Sequence, residues 1–350
     1  MRLVYDCSLP DLVTLFSRWG EPQYRARQVW NGLYQSKWLR AEEFTVLPAP
    51  LRQRLAEHLQ FNPLTPLATQ SSHDGRTTKV LFVPQSGPGF EAVLMSSVSR
   101  TAAAPDRHTL CVSTQIGCGM GCVFCATGQM GFKRHLTPGE IVAQVLFFAA
   151  RLARQDDHLT NIVFMGMGEP FHNFENTMQA IDRLNDATGF NFGARRMTIS
   201  TAGLAPMIER FADENRQVNL SVSLHASDDV TRSTLLPINR RYPLSHLLKS
   251  CRLYIQKTSR RITFEWALIQ GVNDSELQAE KLVHLLDGLL AHVNVLLLNP
   301  TTAFAGRAST HRQAIRFCDT LRRSGIPCTF RTPRGLEIRA GCGQLATSVE

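Results

Sequence analysis

Three thiols, Cys118, Cys122 and Cys125, fall in a C-x3-C-x2-C spacing directly after a strand-like run. Thiolates this close together can hold three irons of a cubane iron–sulfur cluster and leave the fourth without a protein ligand. Electron-transfer clusters usually take four cysteines, so a three-thiol loop points to chemistry at an open iron. Gly117, Gly119 and Gly121 remove side-chain bulk where the backbone must curl around such a core. A structural zinc knuckle is the alternative. It needs a fourth ligand, for which His135 or Cys111 is available, although zinc favours paired C-x2-C or C-x4-C units.

The elements around that loop must present it. From Thr109 onward, strand-like and helix-like patterns alternate. Strands are expected at Leu110–Thr114, Asn161–Met165, Arg196–Thr201, Val218–Leu224, Ile262–Leu268, Val293–Leu298 and Cys328–Arg331. Helical patterns separate most of them, at Pro138–Leu152, Asn173–Asn185, Met207–Glu214, Leu244–Gln256, Ser275–Leu290 and Thr310–Ser324. Repeated βα units imply a parallel sheet, and six without an obvious switch point favour an open, partial (β/α)6 barrel over a doubly wound sheet. The α/β region is expected to span 109–350. It is preceded by a small helical accessory domain over 1–62 and a β-hairpin extension with linker over 63–108. The hairpin strands are Lys79–Val83 and Phe90–Met95 around Gly87-Pro88-Gly89, and Ser99 to Arg107 reads as an excursion.

In a parallel barrel the reacting groups sit at the carboxyl ends of strands. Polar and small residues fall there: Gly166-Met-Gly168-Glu169-Pro170, Ser200-Thr-Ala-Gly203, Ser223-Leu224-His225-Ala226 and Asn299-Pro300. A G-x-G turn is a weak signal alone, and a single histidine such as His225 is ordinarily structural. Four polar strand ends in register with the thiol loop carry more weight, and Glu169 offers a carboxylate to an ammonium group.

The chain of 350 residues is 43% hydrophobic, enough for a large core. No basic n-region with an apolar stretch opens it, and no apolar run reaches membrane-spanning length. Nine cysteines, an odd number gathered around one loop, do not resemble a secreted disulfide framework. A cytoplasmic protein is expected. The net charge of +9 includes the pairs Arg195-Arg196, Arg240-Arg241, Arg260-Arg261 and Arg322-Arg323. Phosphate neutralisation is the common reason for such an excess, so nucleic acid is the expected partner class.

Together these residues resemble the radical S-adenosylmethionine (SAM) superfamily, whose signature is the same thiol loop followed by a glycine-rich strand end. The segments Cys111–Cys118, Cys125–Phe132, Gly166–Pro170, Ser221–Ala226, Gly341–Leu345 and Tyr24–Trp30 are similar to RNA adenosine methyltransferases of the RlmN/Cfr type. The resemblance covers nearly the whole chain. It implies a [4Fe-4S] cluster on Cys118, Cys122 and Cys125, and SAM contacts at Gly168, Glu169, Ser200, Ser223, Leu224, His225 and Asn299. It also implies a pair of catalytic cysteines outside the cluster. Cys342 would carry a methyl group taken from one SAM, and a second SAM, cleaved reductively, would activate that methyl group for addition to adenine. Cys111 would then release the product by forming a Cys111–Cys342 disulfide, with Glu91 as proton acceptor.

The resemblance further implies C2 of an adenosine in 23S rRNA, and for some members tRNA, as the target, with C8 methylation as the rival outcome. A low-potential donor such as flavodoxin or ferredoxin, and a monomer, are the remaining expectations. Another class of reading is a catalytically silent relative that binds RNA or zinc. After Asn299-Pro300 the chain reads Thr301-Thr-Ala-Phe-Ala-Gly306, where family members often carry more prolines and glycines.

Overall fold

The computed structural model describes residues 1–61, 64–97 and 106–347. The expected boundary at 62/63 and most of the Ser99 to Arg107 excursion lie outside the described residues.

The N-terminal region is helical: α1 (Leu9–Arg18), α2 (Gln23–Tyr34) and α3 (Ala49–His58), with a short parallel bridge between β1 (Arg2–Leu3) and β2 (Leu59–Gln60). Ser8 starts α1 with a reciprocal capping box to Asp11, which satisfies two otherwise orphaned N–H groups. These helices share one apolar core with the rest of the chain. Polar ties reinforce the junction. Asp6 Oδ1 accepts from Gly139 N at 2.6 Å, and Arg183 Nη2 donates to Asp6 O at 3.0 Å.

Three antiparallel strands follow, β3 (Leu64–Ser71), β4 (Thr77–Pro84) and β5 (Phe90–Ser97). The expected hairpin is present as β4 and β5, and β3 adds an outer edge. Pro66 and a bulge between Pro66 and Ala68 suit that edge position, because proline cannot donate to a further strand. The hairpin is no appendage. β5 pairs antiparallel with β6 (Arg107–Cys111), so all these strands continue the main sheet.

The order of the ten-stranded sheet runs β14-β13-β12-β11-β10-β9-β6-β5-β4-β3. Between β6 and the rest lies the thiol loop, framed by the short antiparallel pair β7 (Gln115–Ile116) and β8 (Arg134–His135) around α4 (Ala126–Gln129). The parallel strands then follow in sequence order: β9 (Asn161–Phe164), β10 (Met197–Thr201), β11 (Asn219–Ser223), β12 (Ile262–Leu268), β13 (Ala291–Leu297) and β14 (Cys328–Arg331). The linear order leaves β14 as a free edge, as an open barrel requires.

The intervening helices are α5 (Pro138–Ala153), α6 (Phe174–Asn185), α7 (Ala205–Asp213), α8 (Asp229–Leu235), α9 (Leu244–Thr258), α10 (Glu276–Leu286) and α11 (His311–Arg323). Side-chain caps start several of them: Thr137 with Glu140 at α5, Ser275 at α10 and Thr310 at α11. The expected first strand, Leu110–Thr114, sits three residues earlier. Beyond Cys111 the chain still runs beside β9, with Val112 N donating to Val163 O, but it then turns toward the thiol loop.

Side chains on the two sheet faces differ. Met197, Ile199, Leu220, Phe264, Trp266 and Val295 are buried under the helices. The opposite face carries Thr198, Asn219, Ser221, Thr263, Glu265 and Asn294. Closed barrels fill that side with branched apolar residues. Here it is polar.

Candidate active site

The thiol loop is shaped by backbone that only glycine tolerates. At Gly117 (φ +68°) a Cβ would lie 1.8 Å from Gly131 O, where the return strand crosses the loop. Cys118, Cys122 and Cys125 converge so that each neighbouring thiolate raises the Cys122 pKa, after burial, which acts most strongly. Burial likewise pushes Cys118 up to about 12. Among the described residues no three His, Cys, Asp or Glu side chains close on a single ion. That is compatible with thiols that each bind a different iron, and cationic iron would relieve the cost of buried thiolates. The donor set fits an iron–sulfur cluster.

Behind the loop stands Glu169, at the end of β9. Its two oxygens are held separately: Oε1 accepts from Phe171 N at 3.0 Å and Oε2 from Ala202 N at 2.7 Å. Burial nonetheless pushes its pKa up to about 7. Gly168 (φ +100°) lets this turn approach Gln115 closely, since a Cβ there would meet Gln115 Cβ at 2.5 Å. Gln115 Oε1 in turn accepts from Glu169 N at 2.8 Å, which locks the turn.

The ends of β10 and β11 carry Ser200, Ser223, Leu224 and His225. Ser200 pairs with Ser221 in the parallel ladder, and Leu224 N donates to Glu265 O. His225 adopts a left-handed backbone (φ +58°), and its ring meets Phe124 of the thiol loop edge-on at 5.0 Å between centroids. Its Nδ1 accepts from Ala267 N at 2.9 Å, so the neutral ring carries its proton on Nε2. Burial lowers the imidazole pKa to about 3 and keeps it neutral.

The C-terminal segment closes the assembly. Asn299 Nδ2 donates to Cys342 O at 2.9 Å, Ala126 N to Gly343 O at 2.7 Å, and Thr127 Oγ1 to Leu345 O at 2.6 Å. Gln344 spans the same gap, donating to Pro300 O and accepting from Gly341 N. Residue 342, remote in sequence, is thereby fastened beside the thiol loop. The Cys342 side chain is accessible, yet burial among surrounding protein atoms pushes its thiol up to about 12. Cys111, the last residue of β6, is pushed up to about 12 by burial and then by Cys342, which places the two sulfurs within electrostatic reach.

Glu91 shares the sheet face of Cys111, because its neighbour Val93 pairs directly with Cys111. Its carboxylate forms a buried ion pair with Lys79 at 3.0 Å and accepts from Ala346 N at 2.9 Å. Among the described residues no hydrogen bond links it to either sulfur. The loop from Thr301 packs onto the thiol loop: Phe304 meets Phe124 at 6.4 Å, and Gln129 Nε2 donates to Thr301 Oγ1.

Two positioning residues escaped sequence reasoning. Arg232 on α8 is fully buried and donates to Leu224 O, Ser223 O, Ala202 O and Asn239 Oδ1, tying the ends of β10 and β11 together. Burial lowers its pKa to about 10. Lys79 was read only as part of a strand. The one available signal for Arg232 was its place just beyond the Ser223–Ala226 strand end.

This geometry agrees with three comparisons. Residues 112–283 match the Radical SAM superfamily model. The chain is 47% identical to the probable dual-specificity RNA methyltransferase RlmN of Chloroflexus aurantiacus, over 99% of this chain and 93% of that one. It belongs to the RlmN family of radical SAM RNA methyltransferases. Within that family it is 46% identical to dual-specificity RNA methyltransferase RlmN 1 of Myxococcus xanthus, covering 99% and 95% of the two chains. The crystal structure of a radical SAM methyltransferase from Sphaerobacter thermophilus superposes with a TM-score of 0.95 at 48% identity, covering 99% of this chain and all of that one. Membership implies a [4Fe-4S] cluster, SAM and an RNA substrate. Among the described residues no helix is long and apolar enough to cross a membrane.

Proposed function

We propose that this enzyme methylates C2 of an adenosine in 23S rRNA, and of one in tRNA, in the cytoplasm, as a monomer supplied with electrons by a flavodoxin- or ferredoxin-like donor. The observation that carries this reading is the tethering of Cys342 by Asn299 and Ala126 beside the three-thiol loop, with Cys111 in reach.

Cys118, Cys122 and Cys125 hold the cluster in this reading. Gly168, Glu169, Ser200, Ser223, Leu224, His225 and Asn299 hold SAM, with Glu169 facing its ammonium group. Bound together, the cluster and SAM supply a hydrogen-abstracting 5′-deoxyadenosyl radical, and two SAM molecules are used per turnover. Cys342 is the methyl carrier, as a thioether poised on a glycine-flanked segment. Cys111 is the resolving thiol. It attacks the Cys342 sulfur once that sulfur is bonded to the adenine-borne carbon; the S–S bond forms as the C–S bond breaks, and the bonding pair passes to the carbon, which takes a proton to become the methyl group. Glu91 accepts the proton lost from the methylated adenine carbon; burial raises its pKa, and the Lys79 ion pair opposes that push.

Anaerobic reconstitution, incubation with 23S rRNA or tRNA, and mass spectrometry against 2- and 8-methyladenosine standards test this reading. 2-Methyladenosine is expected; 8-methyladenosine, or no methylated base, overturns it.

A further inference from the structure

The polar face of the sheet lines an open cavity of about 600 Å³, the size of a ligand pocket. Its mouth lies at the amino ends of the strands, opposite the thiol loop: Arg107 opens β6, and Arg260 and Arg261 precede β12. Arg331 joins them from β14. Among the described residues none of these four guanidiniums takes part in an ion pair. Four arginines and one carboxylate, Glu265, line the cavity, so like charges outnumber their counter-charge and a polyanion removes that cost.

Further in stands Glu265, 7% exposed, at the centre of β12. Ser221 Oγ donates to its Oε1 at 2.8 Å, and Asn294 Nδ2 donates to the same oxygen at 3.1 Å. Among the described residues no hydrogen bond engages Oε2. Oε2 is not sealed among protein atoms, and Glu265 lines the cavity, so a donor from a ligand can reach that oxygen. Glu265 and Arg331 both line the cavity, and both lie within electrostatic reach of the Cys342 thiol. Glu265 and Arg331 are therefore the cavity residues nearest in charge to the tethered cysteine.

We infer that this lumen is the base-reading pocket for the RNA: a nucleotide enters through the arginine mouth, and Glu265 Oε2 accepts a hydrogen bond from the 6-amino group of the target adenine. The inference rests on the adenosine methyltransferase reading above. Guanine presents a carbonyl oxygen where adenine presents the amino group, so a carboxylate there attracts one base and repels the other. Ser221 and Asn294 give the reading its direction, because two donors on Oε1 leave only Oε2 for the base.

The same geometry sets the test. In Glu265→Gln the two donors hold the amide oxygen in the Oε1 place, so Nε2, a donor, replaces Oε2 and faces the adenine amino group. Reconstituted full-length enzyme is given paired RNA substrates that carry adenosine or purine riboside, which lacks the 6-amino group, at the target position. Wild type is expected to prefer adenosine in kcat/KM by roughly tenfold to a hundredfold, the usual range for a lost base-edge contact. Glu265→Gln is expected to lose that preference, with iron content and thermal unfolding confirming an intact fold. Equal turnover of both RNAs by wild type overturns the inference without reference to any variant. An unchanged preference in Glu265→Gln overturns it too. Failure of wild type to methylate either RNA strikes instead at the function reading, and the inference falls with it.

Discussion

At the carboxyl ends of the strands, the candidate cofactor residues are bound into backbone hydrogen bonds: Glu169 by two amides, His225 by one, Asn299 by the carbonyl of residue 342. At the amino ends, Arg107 and Arg261 have no ion-pair partner among the described residues, and Arg260 donates to the neutral side chains of Gln217 and Asn219. The two ends thus solve different recognition problems. A small cofactor that must bind in one pose needs a rim fixed in advance. A large polyanion needs charge and an open mouth, and fixed geometry only where one base is read.

The largest effect on this comparison should come from the tethered thiol. Cys342→Ala is expected to cut RNA methylation by roughly a thousandfold or more. 5′-Deoxyadenosine release, read by chromatography, should continue. Retained methylation would detach the rim from the chemistry assigned to it.

Next comes the buried arginine that ties the rim. Arg232→Gln leaves several buried carbonyl groups unpaired and should cost about 3 kcal/mol in urea unfolding. A loss no greater than that of an exposed arginine would show that the rim is less fixed than its hydrogen bonds suggest.

The mouth should respond more weakly and through salt. Arg260→Ala combined with Arg261→Ala is expected to weaken RNA binding roughly tenfold near 0.1 M salt and to reduce the log–log salt slope by about 1 to 2. An unchanged slope would place the phosphates elsewhere.

The smallest effect concerns His225. Its imidazole pKa is lowered from 6.5 to about 3, so the unfolded chain binds a proton below pH 6.5 that the folded chain refuses. Stability from this residue is therefore present above pH 6.5 and lost as pH falls toward 3. Between pH 6.5 and 5.5 the loss is about 1 kcal/mol, measured as the difference in urea unfolding from His225→Gln. A pH dependence shared by the variant would remove His225 as its source.

Much of this was legible in the chain because it is local. The thiol loop is eight residues long, and its ligand types and glycines declare their purpose without any partner. The β12 strand, Ile262–Leu268, matches its expected limits because Ile262, Phe264 and Trp266 alternate with Thr263 and Glu265 between Arg261 and Gln270-Gly271. Edge strand β3 was missed because Leu64–Ser71 contains Pro66 and exposes most of its residues, so neither composition nor alternation marks it. Lys79 gave no warning and Arg232 only its place beyond a polar strand end, since a buried cation reads in sequence like any surface one.

The residues alone determined the identity and spacing of the cluster thiols, the βα alternation and the polar character of the strand ends, because each is a property of neighbours along the chain. Only the tertiary structure decided that Asn299 grips Cys342, that Glu91 faces Lys79, and that Ser221, Glu265 and Asn294 share one cavity wall. Those contacts join residues 12 to 44 positions apart; the Cys342 grip comes from docking of the C-terminal segment, and the others from strand register, which is set by the packing of the whole sheet beneath its helices.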